Sequence, residues 1–127
     1  MILNSKVDEL IVNELAAKEL RVATENCKAA EAELKDAQFK YDKLVNFRQD
    51  YVDRFDNEMQ HYVAQDTHQG FRSFFSRLDV VIFEQQDIIA SLERKLKIQR
   101  QLLEECKKKS AFLDELDSEL QMEEAIH

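Results

Sequence analysis

The fold this sequence predicts is all-α, a long antiparallel two-helix coiled-coil hairpin, and three observations predict it. Chain breakers are almost absent: 127 residues contain no proline and one glycine, Gly70. Apolar residues recur at heptad spacing on both sides of that glycine. Turn formers (Asp66, Thr67, Gly70) gather at the one place where both apolar stripes stop.

The first helix is expected over about residues 2–63. Steps of three and four from Ala16 give Ala16, Leu20, Ala23, Cys27, Ala30, Leu34, Ala37, Tyr41, Leu44, Arg48, Tyr51, Phe55, Glu58 and Tyr62. Only Arg48 and Glu58 interrupt the apolar run, which is a sustained a/d seam. Before Glu14 the phase slips to Leu3, Val7 and Leu10. The turn is expected at about 64–70. The second helix follows at about 71–126, with the seam Phe71, Phe75, Leu78, Ile82, Gln85, Ile89, Leu92, Leu96, Gln99, Leu103, Cys106, Ser110, Leu113, Asp117 and Leu120. The whole chain, 1–127, is thus one helical hairpin.

Two helices joined by so short a turn bury their seams on each other only if they run antiparallel. In an antiparallel pair a sites layer with d sites of the partner, and a pairing in which facing residue numbers add to 133 matches the two seams. Cys27 then meets Cys106, Arg48 meets Gln85, Leu44 meets Ile89 and Phe55 meets Leu78. In other layers small faces large, Ala37 against Leu96 and Ala30 against Leu103, as close packing requires.

Charge and composition exclude several functions. Charged residues are 35% of the chain and apolar residues 44%, a mixture of long helices and not of disorder. The net charge of −8 opposes binding to nucleic acid or to an anionic membrane. No apolar run is long enough to span a bilayer. The start, MILNSKVDELIV, lacks a basic segment followed by a continuous apolar run, so no secretory signal is expected. Cys27 and Cys106 fit no zinc spacing and read as small core fillers. His61 and His68 flank the turn without further ligands at metal-binding spacing. No phosphate loop and no catalytic constellation is present, so no enzyme, metal or cofactor is expected.

Two features ask for partners. Phe47, Phe74, Val81 and Ile88 fall on g positions, outside the a/d seam, bordered by Lys40, Arg54 and His61. An apolar, aromatic strip there is a candidate protein-binding surface. The last 18 residues, SAFLDELDSELQMEEAIH, hold six acids and no Lys or Arg. Such an end suits a basic ring or groove.

The stretch LVNFRQDYVDRFDNEM, followed by FFSRLDVVIFEQQ across the bend, resembles the FliJ family of flagellar export proteins. The matching positions are Phe47, Tyr51, Phe55 and Met59, then Phe71, Phe74, Leu78, Ile82 and Gln85. LAAKELRVATENCKAAEAEL is similar to the family's first helix. The resemblance covers about residues 15–116. It implies a non-enzymatic stalk of a type III export apparatus at the cytoplasmic face of the bacterial membrane, with no insertion of its own. The implied partners are a hexameric export ATPase, the soluble domain of the membrane export gate, and export chaperones. Gate contacts would fall on Lys40, Leu44, Phe47, Tyr51, Phe74, Leu78, Val81 and Gln85. Contacts with the ATPase ring would fall at the open end, on Leu3, Val7, Leu10, Leu116, Glu119 and Leu120. Two alternatives stay open: the stalk of a virulence secretion system, and a coiled-coil holding chaperone or adaptor.

Overall fold

The computed structural model describes residues 6–59 and 65–126. They form two α-helices, α1 (Lys6–Met59) and α2 (Gln65–Ile126), packed against each other as a helical hairpin. The composition explains their length: strong helix formers fill the solvent faces and no proline interrupts either run. Asp8 and Glu9 lie in the first turn of α1, where the helix dipole favours negative charge. The chain divides into two compact units. A terminal unit holds Met1–Glu31 and Lys95–His127, and a middle unit holds Ala32–Arg94.

Burial follows the two heptad seams closely. In the terminal unit Ala16, Ala23, Cys27, Ala30 and Leu96 are buried. Alanines seven residues apart put small side chains at every second layer, so the helices approach closely there and Ala30 is only 1% exposed. In the middle unit Ala37 and Leu78 are buried, while Tyr41, Leu44, Arg48, Tyr51 and Phe55 are half-buried. No large side chain among the described residues is fully buried, because two helices lack a third layer to cover the edges of their seam.

Three expectations are corrected. The first concerns the turn: α2 begins at Gln65, so residues 65–70 are helical and Gly70 lies inside α2. Gly70 has no positive φ, and a Cβ added to it would meet nothing within 4 Å. It is therefore not the breaker of the chain. Gly70→Ala is expected to stabilise the protein by about 0.5–1 kcal/mol, since glycine in a helix loses more backbone entropy than alanine. Urea denaturation with an unchanged m-value checks this.

The second correction is the register. In the middle unit Phe55 packs edge-on against Phe71, with ring centroids 5.2 Å apart. Arg48 Nε donates to Asp79 Oδ1 at 2.6 Å, and Gln86 Nε2 donates to the Tyr41 hydroxyl at 3.1 Å. These pairs (55 with 71, 48 with 79, 41 with 86) add to 126 or 127, one heptad less than 133. Phe55 therefore lies level with Phe71 and not with Leu78, and by the same register Leu44 lies level with Ile82 and not Ile89. α2 begins at Gln65 and not after residue 70, and the facing pairs of the middle unit are one heptad away from the expected ones.

The terminal unit fits the same register. Glu9 and Asp117, and Asn13 and Leu113, line one groove, and each pair adds to 126. Flanking ion pairs join Glu19 to Lys109 at 3.2 Å and Glu31 to Arg100 at 3.7 Å. Cys27 and Cys106 are both free thiols, the first buried and the second half-buried. The expected phase slip in α1 is also absent. Glu9 and Asn13 continue the seam half-buried, whereas Val7 and Leu10 are 63% and 60% exposed. An unbroken helix keeps its phase, and polar seam residues cost little where solvent is near.

Candidate functional site

The strongest surface feature is in the middle unit. Phe47 and Tyr51 are four residues apart on α1, so they share one face. Their rings are 5.0 Å apart. Phe74 of α2 stacks on Tyr51 at 4.2 Å and lies 6.2 Å from Phe47. The Arg54 guanidinium sits 5.3 Å from the Tyr51 ring, a cation–π contact at the edge of the cluster. Beyond it, Val81 and Ile88 continue along α2 at a spacing of seven. Phe47, Val81 and Ile88 are 47%, 44% and 48% exposed. This is an apolar strip with a rigid aromatic anchor, the composition that binding hot spots favour.

Phe74 departs from the expected free-standing position. It is half-buried, as is Phe75 next to it, because Tyr51 and Phe47 close over it. Phe75 instead joins a second ring cluster with Phe55 and Phe71. Phe55 also lies 5.9 Å from His68. These rings fill the core beneath the strip.

The other expected gate positions divide by depth. Lys40, Lys43, Leu44, Phe47 and Gln85 line one shallow groove, so four of the eight come together at the surface. Lys40 reaches back to Asp36 at 3.1 Å, an exposed i,i+4 pair of small energetic weight. Gln85 Nε2 donates to the Ala37 carbonyl at 2.9 Å, which fixes its side chain across the helix pair. Leu78 is buried and supports the strip from below.

Arg48 was expected to face Gln85 as a polar intruder in the seam. It leans out instead, pairs with Asp79, and lies 5.5 Å from the Phe75 ring. The hydrogen bond and charge of Asp79 raise the Arg48 pKa further above its already high ordinary value. Arg48 thus stays charged, and the pair marks the register at the edge of the strip. Asp79 was not singled out in the sequence, because its partnership exists only in the observed register.

At the open end of the terminal unit, Val12, Leu113, Leu116 and Leu120 line an apolar groove rimmed by Glu9 and Asp117. Leu116, Glu119 and Leu120 are exposed, as are Val7 and Leu10. Leu3 and His61 lie outside the described residues. No cluster of metal-ligating side chains exists among the described residues, and none of their helices is long and apolar enough to cross a membrane.

No curated protein and no solved structure matches the chain. The family model described as "Flagellar FliJ protein" matches residues 11–127, nearly the full length, and takes in α1 from residue 11, all of α2 and the aromatic strip. The chain belongs to the flagellar FliJ protein family.

Proposed function

We propose that this protein is the central stalk of a bacterial flagellar type III export apparatus, acting without chemistry of its own. The middle unit meets the soluble domain of the membrane export gate through the strip of Phe47, Tyr51, Phe74, Val81 and Ile88, with Lys40, Leu44 and Gln85 at its edge. The open end, with Val7, Leu10, Leu116, Glu119 and Leu120, engages the ring of the hexameric export ATPase and promotes its assembly and turnover. Export chaperones dock on the same chain, which works at the cytoplasmic face of the membrane.

The observation that supports this reading is a coincidence of two independent selections. The positions that the family resemblance implies for the gate include Phe47 and Val81, apolar side chains left exposed in the middle unit, and Tyr51 and Phe74, the half-buried rings that Phe47 packs against. Apolar surface with a rigid aromatic centre gains free energy when a partner removes it from water. The acidic open end adds long-range attraction to a basic ring and speeds encounter.

The ATPase half is tested by steady-state hydrolysis with the purified hexameric export ATPase. The chain alone is expected to release no phosphate. Added in equimolar amount, it is expected to raise the partner's rate several-fold and to increase the hexamer fraction in sedimentation. Turnover by the chain alone, or an unchanged rate and oligomer state of the partner, contradicts the proposal. High salt is expected to weaken the effect, because charge attraction between exposed groups is screened.

A further inference from the structure

Three facts about α1 and α2 stand together. First, both seams are periodic at seven residues, so sliding one helix past the other by one heptad again sets seam against seam. In the shifted pairing Leu44 meets Ile89 and Ala30 meets Leu103, layers as well matched in size as Leu44 with Ile82 and Ala30 with Leu96 in the observed one. Second, Gly70 is helical with ordinary φ and open space around its Cα, so nothing in the observed register requires glycine there. Glycine in a helix is less stable than alanine, and the shifted register puts Gly70 at the reversal, where turn formers are favoured. Third, polar contacts that tie the middle unit to the observed register lie at least partly in solvent, among them the Arg48–Asp79 pair, the Gln86–Tyr41 bond and the Gln85 bond to the Ala37 carbonyl.

We propose that the hairpin holds two registers one heptad apart: the observed one, and one in which facing residue numbers add to 133, reached by a slide of roughly 10 Å between α1 and α2. In the second register Gly70 and its neighbours form the reversal, Arg48 leaves Asp79 for Gln85, and Cys27 lies opposite Cys106. The Tyr51–Phe74 stack separates, and Phe47 comes beside Ile88. The strip in the middle unit differs between the two registers, because two discrete packings of one helix pair form a bistable element. The inference rests on the two helices and their seams, and it stands whatever partners the chain has.

The two natural cysteines report on the second register. Oxidised glutathione is the oxidant: the Cys27 and Cys106 thiols lose two protons and two electrons, and the glutathione disulfide is released as two thiols. An S–S bond needs Cα atoms within about 7 Å. Two cysteines a heptad out of level do not meet that limit in the observed register.

The experiment treats the full-length chain with oxidised glutathione under native conditions and follows the intramolecular disulfide by mass spectrometry. The bonded monomer is expected to form and to keep its helix content by circular dichroism. Asp79→Asn, which frees Arg48, is expected to speed bond formation several-fold, and Gly70→Ala to slow it several-fold. A cysteine-free chain carrying Leu44→Cys with Ile89→Cys is also expected to cross-link, as is Leu44→Cys with Ile82→Cys. The proposal is overturned if only the Leu44–Ile82 pair cross-links. It is equally overturned if the Cys27–Cys106 species has lost its helix, or if bond formation is the same in wild type and both variants.

Discussion

Leu96→Ala and Leu78→Ala are each expected to lower unfolding free energy by about 2–3 kcal/mol, the largest stability losses available to single truncations here. Leu96 is 5% exposed in the terminal unit and Leu78 is 7% exposed in the middle unit. Each loses the transfer energy of its removed methyl groups and leaves a gap in a layer faced by few other side chains. The seam edges are open to solvent, so water fills part of the gap and the loss stays below that in a deep globular core. Phe83→Ala and Phe112→Ala are the controls. Those rings are 64% and 63% exposed, and their removal is expected to shift stability by no more than about 0.5 kcal/mol. Urea melts of the four variants separate seam from surface. Equal losses at Leu96 and Phe112 would contradict the burial pattern.

The second large effect concerns binding. Phe47→Ala combined with Val81→Asp is expected to weaken association with the soluble domain of the export gate roughly 100-fold, near 2.7 kcal/mol. Phe47 supplies an exposed ring at the centre of the strip, and an aspartate at position 81 would carry an unpaired charge into an apolar contact. Neither side chain lies in the a/d seam, so the ATPase stimulation is expected to stay near wild type and the melting temperature to fall only by the loss of the Phe47 contacts with Tyr51 and Phe74, with helix content kept. Isothermal titration against the gate domain, alongside a thermal melt, reads both quantities. Loss of helix with loss of binding would place Phe47 and Val81 in the core. Normal binding would remove the strip from the gate interface.

The heptad periodicity made the fold legible. A seam of seven-residue repeats marks the buried stripe of a helix whatever it packs against. Thus Ala16, Ala23, Ala30 and Ala37, and Leu78 and Leu96, were readable as core. The same periodicity hid the register. Layers one heptad apart look equally good in sequence, and only the position of the reversal chooses between them. Gly70 suggested the wrong position, because its flexibility suits a turn although the helix also tolerates it. The Arg48–Asp79 pair followed the register out of view, since opposite charges on different helices carry no signal until the helices are aligned.

At the site, phase alone identified Phe47, Val81 and Ile88 as exposed, and they are. Phase did not show that Phe74 would stack on Tyr51, because ring stacking depends on the level of one helix against the other. Leu78 was placed in the seam by phase and among the gate contacts by the resemblance, and its burial agrees with the phase.

Site-directed photocross-linking tests the central claim, that the strip of the middle unit is the surface the export gate meets. A benzophenone side chain replaces Val81 in one chain and Phe112 in another; both positions are exposed and neither is in the a/d seam. Each chain is mixed with the purified soluble domain of the gate protein and irradiated. Cross-linking from position 81 and none from position 112 is the predicted result. Equal yields from the two positions, or capture from position 112 alone, would contradict it.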